Sequence, residues 1–365
     1  MGISATPGKQ IAPAGSEQES AIEVRNLVKR YPKAIVNAVD NISFTVGRGE
    51  IFGLLGPNGA GKTTTIGVLT TNVRPTSGSA FIMGINVAAD PMSVKQRIAV
   101  VPQQSNLDRS LRAREILTFH ASYHGLPRAE REARANALLN ELGLGDRGKD
   151  MVLRYSGGMA QRLMLARALM HSPDILFLDE PTNSLDPQSR LFLWDRIRWL
   201  KEQGTTILLT THDMEEADQL CERIAIMDKG RILVLDTAAE LKKLVPGGTC
   251  LELRVHVPQH VSAGSAHSEA QEISSVLTVL RGIPDATKVE EVSPPEDEEG
   301  AQGIQVFRLY AEDAGSLVIG ATQAVMEAGA EIRDLHIARP SLEDVFIHLT
   351  SKSLRDDRGF VVRHS

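Results

Sequence analysis

At residues 56–63 the sequence reads Gly56-Pro57-Asn58-Gly59-Ala60-Gly61-Lys62-Thr63. It matches G-x-x-x-x-G-K-[ST] and lies between the apolar run IFGLL and a helical stretch, which is the context that the pattern requires. Glycines let backbone N–H groups wrap a phosphate at a helix N-terminus, where the helix dipole also favours negative charge. We therefore expect Lys62 to neutralise β- and γ-phosphates and the Thr63 hydroxyl to face Mg²⁺. The alternative, a simple glycine-rich turn, is disfavoured by the flanking pattern.

A second candidate element is the apolar run Ile175–Leu178, which is followed by Asp179 and Glu180. Both acids emerge at the carboxyl end of a predicted strand, where open α/β sheets bind ligands. One carboxylate can hold Mg²⁺ and the next can polarise a water molecule for attack on the γ-phosphate, so we assign Asp179 to the metal and Glu180 to the base. Taken alone, two acids after a strand more often form a helix cap or loop. The phosphate loop upstream favours the catalytic interpretation.

Short apolar runs alternate with helical stretches around these two motifs. The runs Ile98–Val101, Ile175–Leu178, Thr206–Thr210 and Ile224–Met227 are typical of parallel strands that are buried on both faces. Strands followed by helices predict an α/β domain with a largely parallel sheet. The pattern is mostly helical over about residues 107–165, which predicts a helical insert in this domain.

The pattern changes after Pro246-Gly247-Gly248, which we interpret as a domain boundary. A strand beginning near Leu251 is followed in pattern by a helix, two strands, a helix and a strand, the β-α-β-β-α-β order of ferredoxin-like folds. The predicted segments are a leader without fixed structure, the α/β domain, a smaller α+β domain and a tail: residues 1–20, 21–245, 249–350 and 351–365.

Composition sets limits on the class of protein. With 365 residues, 42% hydrophobic and 24% charged, the chain is typical of globular proteins. A formal charge of -6 favours no nucleic-acid partner. Cys221 and Cys250 form neither a metal spacing nor a disulfide framework, which is typical of a reducing compartment. No apolar run is long enough to span a membrane, and the first twenty residues lack the apolar segment of a secretory signal, so we expect the chain to stay in the cytosol.

Two histidine pairs are set aside as metal ligands. His120 and His124 are spaced i, i+4, but no carboxylate or cysteine beside them in the sequence completes a site, so we assign them to surface or packing roles. His256 and His260 receive the same interpretation.

Further motifs make a family resemblance specific. Tyr155-Ser156-Gly157-Gly158-Met159 resembles the signature motif of ATP-binding cassette (ABC) ATPases, which other phosphate-loop families lack. Other positions match family motifs in order: Tyr31 as the aromatic residue that stacks on adenine, Gln103 as the glutamine between core and helical subdomain, Ser184-Leu185-Asp186 as the loop after the acidic strand, and His212 as the switch histidine. The resemblance implies an ABC cassette over residues 21–245, with a RecA-like core and a helical subdomain.

The resemblance also implies a role for each matching residue. The implied catalytic residues are Glu180, His212 and Gln103. The implied metal ligands are Thr63, Gln103 and Asp179. The implied nucleotide-binding residues are Tyr31, Gly56, Pro57, Asn58, Gly59, Ala60, Gly61, Lys62, Thr63, Thr64, Ser156, Gly157, Gly158 and Asp186. Gln104 is the neighbour that could replace Gln103, but Gln103 aligns with the motif and we expect Gln104 in solvent.

The phrases YSGGMAQRL, DEPTNSLDP, TTHDMEEA and PSLEDVF are similar to ATPase subunits of bacterial ABC-2 type exporters, of the daunorubicin-resistance and nodulation-exporter types. This resemblance implies that two identical subunits, as a homodimer, close around two MgATP. Hydrolysis then drives export of a drug, lipid or glycan-type substrate through a separate ABC-2 type permease at the cytoplasmic face of the membrane. Met159 replaces the signature's usual glutamine and Ser184 stands where glycine is frequent, and both departures are compatible with function.

Two other functions fit the sequence less well than export does. A soluble ABC ATPase acting on nucleic acid or ribosomes usually carries two cassettes or a long coiled coil, and the acidic charge also disfavours it. A regulatory nucleotide-binding module without turnover is disfavoured because Glu180 and His212 are retained. For the C-terminal domain, a regulatory or dimer-stabilising role and a packing appendage both remain open.

Overall fold

A computed structural model describes residues 20–245, 248–256, 276–284, 286–292, 304–311, 314–338 and 340–358. These residues divide into two compact units. The first comprises residues 20–212 with Leu220–Ile232, and the second Asp213–Gln219 with the described residues from Leu233 onward. The predicted leader, apart from Ser20, and residues Pro246 and Gly247 of the predicted boundary lie outside the described residues.

A six-stranded sheet forms the centre of the first unit, and the last four residues of one edge strand, from Leu233, are counted in the second unit. Its strands along the chain are β3 (Ile51–Leu55), β6 (Ile98–Val101), β7 (Ile175–Asp179), β8 (Thr206–Thr211), β9 (Arg223–Asp228) and β10 (Arg231–Asp236). They lie side by side in the order β10-β9-β3-β8-β7-β6, and the pairs β6–β7, β7–β8, β3–β8 and β3–β9 are parallel. Every residue of β3 and β7 is buried, as strands covered on both faces require. The predicted parallel α/β sheet is confirmed.

A second sheet of the first unit is antiparallel. It contains β1 (Ser20–Lys29), β2 (Val39–Gly47), β4 (Ser77–Ile82) and β5 (Ile85–Asn86) in the order β2-β1-β4-β5. In β2 the buried residues Ile42, Phe44 and Val46 alternate with exposed ones, so one face packs on the core and the other meets solvent.

The helices of the first unit begin at residues that suit helix starts. They are α1 (Lys62–Leu69), α2 (Pro91–Arg97), α3 (Ala113–Tyr123), α4 (Arg128–Glu141), α5 (Gly157–Leu169) and α6 (Pro187–Glu202). Asp90, Ser156 and Asp186 cap α2, α5 and α6 by accepting a backbone N–H with the side chain, and α2 and α6 open with proline. Helices α3, α4 and α5 pack against one another, where the sequence predicts the helical insert.

The second unit contains a four-stranded antiparallel sheet. Its elements are α7 (Met214–Leu220), α8 (Ala238–Lys242), β11 (Thr249–His256), α9 (276–281), β12 (Lys288–Val292), β13 (Ile304–Ala311), α10 (Ala314–Glu327), β14 (Glu331–Ala338) and α11 (Leu342–Arg358). The strand order β12-β13-β11-β14, with antiparallel neighbours throughout, matches the predicted ferredoxin-like chain order. Its core includes Leu251, Leu253, Phe307, Leu309 and Leu317.

Two boundaries of this unit differ from those expected. The unit takes in residues from Leu233 rather than from 249, because α8 packs against α11. Helix α11 buries Leu342 and Val345 on one face and continues to Arg358, whereas the sequence predicts a tail from residue 351. Among the described helices, none is both long and apolar enough to cross a membrane.

Candidate nucleotide-binding and catalytic site

The loop between β3 and α1 is shaped by glycine. Gly59 and Gly61 have left-handed φ angles of 83° and 103°. A Cβ on Gly61 would lie 2.4 Å from the carbonyl oxygen of Ala38, and one on Gly56 would lie 2.2 Å from that of Met227. The predicted phosphate loop therefore needs glycine to fit its own chain, in addition to any ligand.

Lys62, the first residue of α1, is turned back over this loop. Its Nζ donates hydrogen bonds to the carbonyl oxygens of Gly56, at 2.6 Å, and Pro57, at 3.1 Å. The same atom lies 3.5 Å from Oε1 of Glu180, and both side chains are less than 10% exposed. Burial lowers the pKa of Lys62, while the charge of Glu180 opposes this shift. The ammonium is thus held within reach of both the loop and the acidic strand end.

A hydroxyl and a carboxylate meet beside Lys62. The Thr63 Oγ1 hydroxyl donates to Oδ1 of Asp179 at 3.3 Å, and the Thr210 hydroxyl donates to the same oxygen. The neighbouring strands β3, β8 and β7 bring the three residues together at one sheet edge. Hydroxyl and carboxylate oxygens are hard ligands of the kind that Mg²⁺ prefers, so this donor set fits that ion.

Glu180 is the most constrained side chain of the site. Its Oε2 accepts hydrogen bonds from Gln103 Nε2 at 2.7 Å and from Asn183 Nδ2 at 3.3 Å, and lies 3.3 Å from His212 Nδ1. The backbone is left-handed, with φ 48°, and its N–H donates to the carbonyl oxygen of Thr210. Non-glycine residues hold such backbone conformations where the surrounding structure fixes them, often at functional sites.

The predicted catalytic residues therefore lie together, and Gln103 contacts the predicted base. Glu180 and His212 face each other, and Lys62 approaches the other carboxylate oxygen. Gln103, which the family resemblance assigns to both metal and catalysis, donates to Glu180, so its contact is with the predicted base. Its role as a metal ligand stays a prediction.

The predicted signature segment forms a second cluster. Ser156 caps α5 by accepting the Met159 N–H at 3.3 Å, and Asp186 caps α6 by accepting the Ser189 N–H at 2.9 Å. The hydrogen bonds from Ser189 lower the pKa of the Asp186 carboxyl. A Cβ on Gly158 would lie 2.5 Å from Ser189 Oγ, whereas a Cβ on Gly157 would meet open space. Gly158 thus lets α5 and α6 approach closely, and Gly157 leaves its helix end uncovered.

Two further predicted residues lie in informative surroundings. Tyr31, just after β1, is 42% exposed, and the Lys29 ammonium lies 5.1 Å from the centre of its ring. The Tyr31 side chain is thus partly open to solvent. Ser184 has a left-handed φ of 63°, which explains physically why glycine is frequent at this position of the family motif.

Thr210 and Asn183 are parts of the site that the sequence reasoning missed. Thr210 supports both acids, and Asn183 supports Glu180. A usable signal existed for Thr210, because it is a polar residue at the end of the apolar run Ile207–Leu209. Asn183 lies three residues after Glu180 but carries no signal of its own.

The fold and the site together define a class of protein. A phosphate loop between a buried parallel strand and a helix, with an acidic strand end beside it, is the arrangement of phosphate-loop nucleotide hydrolases. A family model described as ABC transporter matches residues 39–183, and one described as AAA domain, putative AbiEii toxin, Type IV TA system matches residues 154–218.

Curated relatives match over nearly the whole chain. The daunorubicin resistance ATP-binding protein DrrA3 of Streptomyces coeruleorubidus is 38% identical, covering 93% of this chain and 98% of that protein. The linearmycin resistance ATP-binding protein LnrL of Bacillus subtilis is 35% identical, covering 92% and 100%. The Nod factor export ATP-binding protein I of Ralstonia nicotianae is 37% identical, covering 92% and 95%. The chain belongs to the family of ABC transporter ATP-binding proteins.

Solved structures agree with this family. An ATP-binding subunit of an ABC transporter is similar with a TM-score of 0.57 and 32% identity, covering 62% of this chain and 93% of that one. A cassette in a dimeric, post-hydrolysis state bound to ADP and Pi gives a TM-score of 0.55 and 27% identity, covering 59% and 98%. The chain is accordingly an ABC-type ATPase that uses ATP and Mg²⁺, as the sequence predicts.

Proposed function

We propose that the chain is the ATP-hydrolysing subunit of an ABC-2 type exporter. Two copies form a homodimer around two MgATP at the cytoplasmic face of the membrane and drive a separate permease. The relatives named for daunorubicin resistance, linearmycin resistance and Nod factor export support a drug, lipid or glycan-type substrate. The near-complete length of these matches includes the C-terminal unit and therefore favours the same kind of assembly.

The phosphate loop is assigned to the nucleotide. Backbone N–H groups of residues 58–59 and 61–63 would surround the β-phosphate, and Lys62 would move from the loop carbonyls to phosphate oxygens. Thr63 and Asp179, whose oxygens lie 3.3 Å apart, would hold Mg²⁺, and Gln103 would be a further ligand. The ion, when bound, neutralises charge on the phosphate oxygens. Tyr31 offers its exposed ring to adenine.

The observation that carries the proposal is the fixation of the Glu180 carboxylate. Three groups, from Gln103, Asn183 and His212, lie within hydrogen-bond range of one oxygen, and Lys62 lies near the other. Glu180 is therefore oriented to accept a proton from a water molecule that attacks the γ-phosphate. His212, about half exposed, contacts Glu180 from the solvent side and is placed to stabilise charge there.

The second copy completes each site through the signature segment. The uncovered N-terminus of α5 at Gly157, with Ser156 and Gly158, is suited to a phosphate presented by another molecule. Asp186 lies beside it at the start of α6. A γ-phosphate held by both copies favours the closed dimer, and hydrolysis removes that preference.

The test replaces Glu180 with Gln and measures turnover and mass. Glu180→Gln should lower the rate of ATP hydrolysis by about 10²–10⁴-fold, because the general base is lost while phosphate and metal contacts remain. Light scattering should then show a dimer with MgATP and a monomer with MgADP. The control is Glu202→Gln, an exposed carboxylate at the end of α6, which should hydrolyse ATP at the wild-type rate.

Three results would contradict the base role of Glu180, the closure of the dimer and the export function. Wild-type turnover by Glu180→Gln would transfer the base role to another residue. A monomer with both nucleotides would contradict closure of the isolated subunits.

Export is tested in the source cell. Deletion of the gene should raise drug accumulation, the wild-type gene should reverse this rise, and the Glu180→Gln variant should not. Unchanged accumulation, with the chain found only in the soluble fraction, favours a non-transport target.

A further inference from the structure

Three histidines from two separate parts of the sequence lie close together in the first unit. His120 lies on α3, His124 follows the end of that helix, and His171 follows α5. Each ring offers one potential ligand nitrogen, and the three nitrogens lie within 4.8 Å of one another. The rings of His124 and His171 stack with centroids 3.8 Å apart. No carboxylate or cysteine beside His120 and His124 in the sequence offers a third ligand, and the fold supplies one in His171.

His171 has a fixed tautomer with an unused lone pair. Its Nε2 lies 3.0 Å from the carbonyl oxygen of Ile98, and because a carbonyl only accepts, Nε2 carries the proton. Nδ1 is then an acceptor, and it is buried without a hydrogen-bond partner among the described residues. Buried acceptors are normally paired, so this nitrogen requires an explanation. Metal-binding histidines commonly donate their other N–H to a backbone carbonyl in this way.

The surroundings keep the three imidazoles neutral. Burial, reinforced by the neighbouring charges, lowers the pKa of His120 to about 4, and burial also lowers the pKa values of His124 and His171. A metal therefore displaces no proton from these rings near neutral pH. Arg167 and Arg134 lie nearby and oppose a cation, although Arg167 donates to Asn106 and Arg134 to the Leu169 carbonyl oxygen. Lys95 lines the same cavity of about 250 Å³.

We propose that His120, His124 and Nδ1 of His171 bind one late divalent transition-metal ion, with Zn²⁺ the first candidate. Three imidazoles with water as the fourth ligand suit this class of ion and leave Mg²⁺ to the oxygen site at Thr63 and Asp179. Zn–N bonds of about 2.0–2.1 Å place tetrahedral ligands roughly 3.4 Å apart, whereas the present ligand atoms lie within 4.8 Å of one another. Because imidazole lone pairs lie in the ring plane, the parallel rings of His124 and His171 must unstack to share an ion, and His124, the most exposed of the three, is the ring that turns. The ion joins α3 to the segment that leads into β7, whose far end carries Asp179.

The experiment measures metal uptake by the untagged full-length chain. Equilibrium dialysis against Zn²⁺, in excess Mg²⁺, is carried out on wild type, His124→Gln, His120→Gln and the control His336→Gln, an exposed histidine on β14. Wild type and the control should bind one more equivalent than the two cluster variants, or bind it at least tenfold more tightly. Zn²⁺ should also raise the unfolding temperature of wild type and control more than that of the variants.

The difference between variants isolates this cluster from other zinc sites. Zn²⁺ bound at Asp179, Cys221 or Cys250 is common to all four proteins and cancels. Equal uptake and equal thermal shifts in wild type, His120→Gln and His124→Gln would overturn the proposal. Replacement of Zn²⁺ by Co²⁺ gives an independent readout, because a visible spectrum typical of nitrogen ligands should appear in wild type and be lost in His124→Gln. A spectrum unaffected by that substitution also contradicts it.

Discussion

The phosphate loop and the signature segment are both glycine-rich helix starts, yet the chain constrains them differently. In the phosphate loop, Gly56 and Gly61 press against backbone carbonyls of Met227 and Ala38, and Gly61 has a left-handed φ. In the signature segment, a Cβ on Gly157 would meet open space. The first loop therefore needs glycine for its own folding, while any requirement at Gly157 comes from a group outside this chain.

The two helix starts also differ in their capping. Helix α1 begins after Gly61, which has no side chain to offer, so its first N–H groups are left for a phosphate. Helix α5 begins after Ser156, which already accepts the Met159 N–H. Helix α1 therefore starts without a side-chain cap, whereas the start of α5 is capped by its own chain and is open to solvent at Gly157.

Lys62→Ala should produce the largest change, a loss of ATP affinity at the phosphate loop. Hydrogen bonds to charged groups contribute about 1.5–3 kcal/mol, so ATP affinity should fall by roughly 10–150-fold. Titration calorimetry with ATP measures the effect. Lys201→Ala, which removes a surface lysine that pairs with Glu222, is the matched control and should bind ATP as wild type does. Equal affinity in both variants would remove Lys62 from its assigned role.

Gly61→Ala and Gly157→Ala form a matched pair that tests the comparison directly. Gly61→Ala should lower the free energy of unfolding by about 1–3 kcal/mol and impair ATP binding, because of its φ and the 2.4 Å contact with Ala38. Gly157→Ala should change that free energy by less than about 0.5 kcal/mol and preserve ATP binding. Placed in the Glu180→Gln background, it should abolish the MgATP-dependent dimer. Chemical denaturation and light scattering check the pair, and equal destabilisation by both substitutions contradicts the distinction.

Ser184→Gly should give the smallest effect. It tests whether the left-handed φ of Ser184, in the loop beside the signature segment, lowers the free energy of unfolding. A left-handed φ costs a non-glycine residue roughly 1–2 kcal/mol, partly offset by the greater unfolded-chain entropy of glycine. We expect the free energy of unfolding to rise by about 0.5 kcal/mol, with turnover unchanged. Ser172, with φ 52°, should respond in the same way, whereas Ser122→Gly, inside α3, should destabilise. Denaturation curves that show a loss for Ser184→Gly would contradict the strain argument.

Much of the fold and part of the site follow from sequence patterns. The buried strands β6, β7, β8 and β9 were predicted from short apolar runs and are confirmed within one or two residues. The chain order of the second unit was predicted from alternation and turn residues. Lys62, Thr63, Asp179, Glu180 and His212 come from motifs, and the fold gathers them at one edge of the sheet. Their chemical roles stay predictions until the variants are measured.

Other contacts had no local signal. Thr210 and Asn183 support the acids only because β8 lies beside β7 and because the chain turns at Glu180. The contact of Gln103 with Glu180 depends on where β6 ends beside β7. The membership of α8 in the second unit depends on its packing against α11.

Four features can be found from the amino-acid sequence alone: the phosphate loop, the acidic strand end, the signature segment and the alternation of strands and helices. These features are short and contiguous, and their spacing is imposed by backbone geometry and by the period of side-chain burial. Only the tertiary structure decided which side chains support Glu180, that Gly157 is open while Gly158 is packed, and that His171 joins His120 and His124. The reason is physical: strand order and helix packing place distant residues in contact, and no local pattern encodes that order.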